Sequence, residues 1–109
     1  MIDAVVFKNP HGDIQGFRVK GHANYSEAGS DIVCSAVSAI IFTALGGMDE
    51  LAGFKSFQQK DGYISCFIPD NLTCDQQKIA QIILKTMDIG LRQIEADYDK
   101  YIRVRYEEV

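Results

Sequence analysis

His22 and Cys34 are the residues whose types could carry covalent chemistry. A thiolate is a strong nucleophile. A histidine within reach of it can accept the thiol proton, hold the resulting ion pair and later protonate a leaving amine. Asp31 is a residue type that caps helix N-termini, and the apolar run that follows it places Cys34 at the third helical position. There, unpaired backbone N–H groups and the helix dipole favour the thiolate. The same helix-start amides, including that of Cys34, are candidate donors to an oxyanion. Ser38 lies one turn beyond Cys34 on the same helix face, so it could hydrogen-bond near the thiol or back-bond to its own helix. Glycines flank the connection, Gly21 before His22 and Gly29 near Asp31, so the loop from Ala23 to Ser30 could move and gate the site. Each residue also has a plainer reading. A cysteine in an apolar helix is usually a small core hydrophobe, a loop histidine is often only solvated, and Asp31 is first a cap.

The remaining candidates are weaker. Cys74 follows Thr73 at a second helix start, but no histidine lies near it in sequence, which favours a tolerated surface thiol. Cys66 alternates with Ile64 and Ile68 on one strand face and reads as core. His11 belongs to the turn Asn9 Pro10 His11 Gly12 and reads as solvated. His22, Asp31 and Cys34 lack a convincing fourth ligand and no paired ligand spacing is present, so no metal and no cofactor is expected.

These residues need elements to position them. Ile2 to Phe7 and Ile14 to Lys20 are apolar, β-branched runs separated by turn residues, which predicts a hairpin. From Ile32 to Leu45, Val33, Ala36, Val37, Ile40, Ile41, Ala44 and Leu45 cover nearly every direction around a helix, predicting a buried central helix that Gly46 and Gly47 loosen and Gly53 stops. Phe54 to Lys60 and Tyr63 to Pro69 flank Asp61 Gly62, a strong signal for a second hairpin. Thr73 with Gln76 resembles a capping box, and Ile79, Ile82, Ile83, Met87, Leu91, Ile94 and Tyr98 then recur at helical spacing. Ile102, Val104 and Tyr106 alternate with Arg103 and Arg105 as a half-buried strand. The order ββαββαβ predicts an α+β domain spanning residues 1–109. Its sheet should be rich in antiparallel pairs, with two helices packed on one face.

The chain has 109 residues and 47% apolar content, enough for one ordinary core and unlike a disordered or low-complexity sequence. A net charge of −4 has the wrong sign for a phosphate-binding surface, so no nucleic-acid partner is expected. No uninterrupted apolar run approaches the length of a membrane span, because Cys34, Ser35, Ser38 and Thr43 break the best stretch. No membrane association is expected. Met1 Ile2 Asp3 carries no secretion signal, and three cysteines without a CxxC pair fit a reducing cytoplasm.

Gly21 His22 Ala23 with Tyr25, then Gly29, then Asp31 Ile32 Val33 Cys34, then Ala36 Val37 Ser38, closely resembles the ribosomal-processing cysteine protease family, Prp. Length and element order match that family along the whole chain. The resemblance implies a bacterial endopeptidase that removes a short N-terminal extension from large-subunit ribosomal protein twenty-seven, cutting after an aromatic residue and before a small one. It implies His22 as general base and Cys34 as nucleophile, with Asp31 and Ser38 supporting the site. The segment holding Gly21, Tyr25 and Gly29 is similar to the family's substrate-covering loop, and a homodimer is implied as well. Ser35 departs from the alanine expected after the cysteine. The buried look of the first helix also allows a second reading, a ribosome-associated binding or assembly factor whose cysteine is structural.

Overall fold

Strand alternation sorts Ile2–Lys8 (β1) into two faces: Ile2, Ala4 and Val6 enter the main core, while Asp3, Val5 and Phe7 point the other way. A computed structural model describes residues 1–27 and 31–109. After β1 come β2 (Ile14–Lys20), α1 (Ile32–Ala52), β3 (Phe57–Lys60), β4 (Tyr63–Phe67), α2 (Cys74–Asp97) and β5 (Ile102–Glu108), in the predicted order. The five strands lie in the order β3-β4-β2-β1-β5. All neighbours are antiparallel except β1 and β5, which run parallel with Ile2 opposite Ile102. The result is the expected α+β layering. Both helices contribute to one cluster with Phe17, Val19, Ile64 and Ile102 of the sheet.

Both helix starts form as predicted. Asp31 caps α1 by accepting from the N–H groups of Val33 and Cys34, and Thr73 and Gln76 close a reciprocal capping box at α2. Gly53, at φ 74°, terminates α1 in the left-handed region.

Three expectations need correction. The first helix is not buried all round: Val33, Val37, Ile41, Ala44, Leu45, Met48 and Ala52 face the core, but Ile32, Phe42 and Leu51 are exposed. A helix laid on one side of a single sheet covers only one of its faces. With its predicted end at Gly53, the helix is long and apolar enough by composition to cross a bilayer, although its core-facing stripe packs on the sheet. In α2 the predicted Ile79, Ile83, Met87, Leu91, Ile94 and Tyr98 do join the core, with Ala80 and Leu84 added, and only Ile82 departs, at 68% exposed. Finally, β3 and β4 are shorter than the predicted segments Phe54 to Lys60 and Tyr63 to Pro69.

The opposite sheet face has its own packing. The Phe7 and Phe67 rings meet at 5.2 Å across β2, in the space left by Gly16, where a Cβ would come within 2.5 Å of Phe67 Cδ1. Arg18 lies over Phe7, and Arg105 makes a bidentate pair with Asp3.

Candidate active site

The chain leaves β2 through Gly21, whose φ of 96° and closeness to Met1 exclude a side chain: a Cβ there would sit 2.4 Å from the Met1 carbonyl oxygen. Gly21 N–H donates to the Gly62 carbonyl at 2.9 Å, tying this exit to the β3–β4 turn. His22 therefore lies against that turn. A Cβ on Gly62 would come 2.8 Å from His22 Nε2, so the turn's glycine leaves room for the imidazole. Its φ of 68° satisfies the hairpin requirement read from Asp61 Gly62.

Ala23 follows with its methyl group in the core and its N–H donated to Cys34 Sγ at 3.3 Å. Asn24 turns the chain at φ 56°. Tyr25 then donates its N–H to Asp31 Oδ2 at 2.9 Å, and its ring packs edge-on against Tyr101 and Tyr98, with centroids at 4.9 and 5.8 Å. Ser26 N–H reaches the same oxygen at 3.4 Å.

Cys34 is the third residue of α1, as expected, and is half-buried. It shares a cleft of about 220 Å³ with His22, Gly21 and Ser38. One wall is the α1 face of Cys34, Val37, Ser38, Ile41 and Phe42, the other is the turn from Gln59 to Tyr63, and Ile2 and Val19 form the floor. The cleft is of mixed polarity and brings a thiol and an imidazole into one lining.

Asp31 sits behind this cleft. Burial raises its carboxyl, but backbone N–H groups of Cys34, Ser26, Tyr25 and Val33 outweigh that and hold it below the usual carboxylate range. Asp31 thus serves as the cap and also fixes the loop after His22. The cap overturns one expectation: the N–H groups of Val33 and Cys34 both donate to Asp31 Oδ1 at 3.0 Å, and Ser35 N–H donates to the Asp31 carbonyl at 3.0 Å. These amides are engaged by the cap, so the helix start does not offer them to an oxyanion.

Of the other predicted residues, the Tyr25 ring packs on Tyr98 and Tyr101 and does not line the cleft, and Gly29 lies outside the described residues. Cys66 is buried in the core, where desolvation pushes its thiol up to about 11; Cys74 and His11 are exposed. Among the described residues, no group of three or more His, Cys, Asp or Glu side chains could hold a metal ion. Sequence reasoning missed the part of Gly62, which it read only as a turn, and the part of the Ala23 amide, for which no side chain signals.

Comparison with known proteins agrees along nearly the full length. The family described as Cysteine protease Prp matches residues 1–103. The ribosomal processing cysteine protease Prp of Bacillus subtilis is 34% identical over 107 residues, covering 95% of this chain and 96% of its own. Its Staphylococcus aureus counterpart is 30% identical over 107 residues, covering 98% and 100%. The crystal structure of the essential S. aureus ribosomal processing protease Prp with a covalently linked product peptide matches at TM-score 0.85 and 30% identity, over 98% of this chain and all of that one. A second S. aureus Prp structure, with a substrate peptide, matches at TM-score 0.78 and 28% identity. The chain belongs to the Prp family and is a cysteine protease.

Proposed function

We propose that this member of the Prp family uses a Cys34–His22 dyad to remove the N-terminal extension of large-subunit ribosomal protein twenty-seven. The observation that carries the dyad is the shared cleft: Cys34 at the start of α1 and His22 at the exit of β2 both line it. The names of the relatives support ribosomal processing, and the peptide-bound S. aureus structures support a peptide substrate.

In this reading His22 takes the Cys34 proton and the sulfur attacks the scissile carbonyl carbon. The tetrahedral adduct collapses as the C–N bond breaks and His22 protonates the leaving amine. Water, deprotonated by His22, then hydrolyses the thioester, releasing the extension and restoring the thiol. Ser38 and Asp31 support the site, Ser38 from the cleft wall and Asp31 through the backbone. No cofactor takes part.

The protein works as a homodimer in the cytoplasm, where its three free cysteines stay reduced. The uncovered apolar strip of Leu51, Ile82 and Ile89 along α1 and α2 is the surface for the second copy. An acidic net charge suits encounter with a basic ribosomal protein rather than with nucleic acid.

The deciding experiment incubates the protein with a peptide spanning the extension and reads products by mass spectrometry. Cleavage at one bond, lost in Cys34→Ala and reduced at least a hundredfold in His22→Ala, is expected. Undiminished cleavage by Cys34→Ala would remove the nucleophile from this account. Stoichiometric binding without turnover would favour the assembly-factor reading.

A further inference from the structure

Acyl transfer through Cys34 needs a donor for the charge that moves from sulfur to the carbonyl oxygen, and the cap of α1 has taken the nearest helix amides. Val33 and Cys34 give their N–H groups to Asp31 Oδ1, and Ser35 gives its own to the Asp31 carbonyl. One backbone N–H does point at the reacting atom, that of Ala23, 3.3 Å from Cys34 Sγ. Resting on the Cys34–His22 reading, we infer that the Ala23 N–H is the charge-holding donor of this site, bonded to the thiolate before attack and to the carbonyl oxygen during it.

The amide is held from both sides. Upstream, Gly21 is tied to Gly62 and pressed against Met1, and downstream Tyr25 is tied to Asp31. The Ala23 methyl is 3% exposed within the core. Between the two ties Asn24 is the one non-glycine residue with positive φ among the described residues. Asparagine tolerates that region better than most residues, and the turn it makes lets Ala23 face the sulfur while Tyr25 faces Asp31. Donors fixed in advance need no reorganisation as charge develops, which is what makes them catalytic.

The electron movement fits one donor serving twice. As the sulfur pair forms the C–S bond, the carbonyl π pair moves to oxygen, two bonds from sulfur, and the Ala23 N–H follows the negative charge there. When the C–N bond breaks and the amine takes the proton from His22, the carbonyl reforms and the amide is released. Asn24 acts here as a positioning residue, through Ala23.

The test replaces the Ala23 amide by an ester, with lactate at position 23, which deletes the N–H and keeps the methyl group. Residues 1–33 carrying the ester are ligated to residues 34–109 through the native Cys34, and the all-amide ligation product is the reference. Cleavage of the extension peptide should fall about 100- to 1000-fold in kcat, the range for losing one oxyanion donor, and the pH profile of Cys34 alkylation should move to higher pH. Cleavage within threefold of the reference with an unmoved alkylation profile overturns the inference. Should the ester chain fail to fold, two variants decide: Asn24→Gly should stay within threefold of the parent, while Asn24→Val, which disfavours positive φ, should lose tenfold or more. Equal behaviour of the two overturns the inference. Alkylation needs no substrate, so a moved profile beside an uncleaved peptide would sink the assigned substrate and leave the Ala23 donor standing.

Discussion

Gly62→Ala should separate the cost of a strained turn from the cost of moving the base. Gly62 has φ 68°, where an L-residue costs about 1 to 2 kcal/mol. Its new Cβ would also lie 2.8 Å from His22 Nε2. That atom is the end of an exposed side chain, so the imidazole yields at little cost in stability but retreats by about half an ångström to regain ordinary contact. A misplacement of about 1 Å in a catalytic group costs about 100-fold, so half of that predicts about a tenfold fall in kcat/KM, or ~1.4 kcal/mol of barrier. Gly12→Ala is the control. Its φ of 86° imposes a similar backbone cost, yet nothing lies within 4 Å of its Cβ and it is remote from the cleft. Both variants should melt lower by about 4 to 10 °C, and only Gly62→Ala should lose activity. Thermal melts and peptide-cleavage kinetics at 25 °C supply both numbers. If Gly62→Ala keeps parental kcat/KM, or Gly12→Ala loses as much activity, the turn does not set the position of His22.

The three thiols should react in a fixed order. Limiting iodoacetamide at pH 7 should modify Cys34 at least tenfold faster than exposed Cys74, and should leave Cys66, buried and pushed up to about 11, unmodified until guanidinium unfolds the chain; peptide mapping that finds Cys74 first would contradict the site. Acid stability should depend on Asp31 and Asp3, whose folded carboxyls lie below their unfolded values. A depressed carboxyl stabilises the fold fully above its unfolded value of about 3.9 and loses that contribution as pH falls through the folded value. Asp31→Asn, which keeps a capping oxygen, should therefore flatten the fall in Tm between pH 5 and 2; an unchanged acid limb refutes it. A double change of Leu51 and Ile82 to glutamate should halve the mass seen by light scattering if the helix face joins two copies, and an unchanged mass would move the dimer surface elsewhere.

Legibility in this chain follows how local each cause is. The β3–β4 turn and the caps of α1 and α2 depend on residues within four positions of one another, so Asp61 Gly62, Asp31 and Thr73 with Gln76 announced them correctly. The inward face of α2 does not depend on α2 alone. Its isoleucines flank a narrower stripe of Ala80, Leu84, Met87 and Leu91, and only the neighbouring helix and sheet decide which side is covered. The same division runs through the site. His22 and Cys34 were readable as candidates because a thiol and an imidazole show in the side-chain types, whereas the Ala23 N–H on Cys34 Sγ is a backbone group and Gly62 reaches His22 only through the fold.

Asp31 shows why the two kinds of cause meet at the active site. The first-turn amides of its helix were candidate oxyanion donors; as the cap, Asp31 binds those of Val33 and Cys34 itself. Its second oxygen holds Tyr25 and Ser26, two and three residues beyond Ala23. A carboxylate that engages the helix's donors while fixing the strap that carries the replacement donor couples the two halves of the site. Loss of that carboxylate therefore acts on the loop and the nucleophile together. Between Gly21 and Ser26 the segment is tied at Gly21 to Gly62, at Ala23 to Cys34, and at Tyr25 and Ser26 to Asp31. Those ties hold the segment that carries His22 and the Ala23 amide against Cys34 and the cap of its helix.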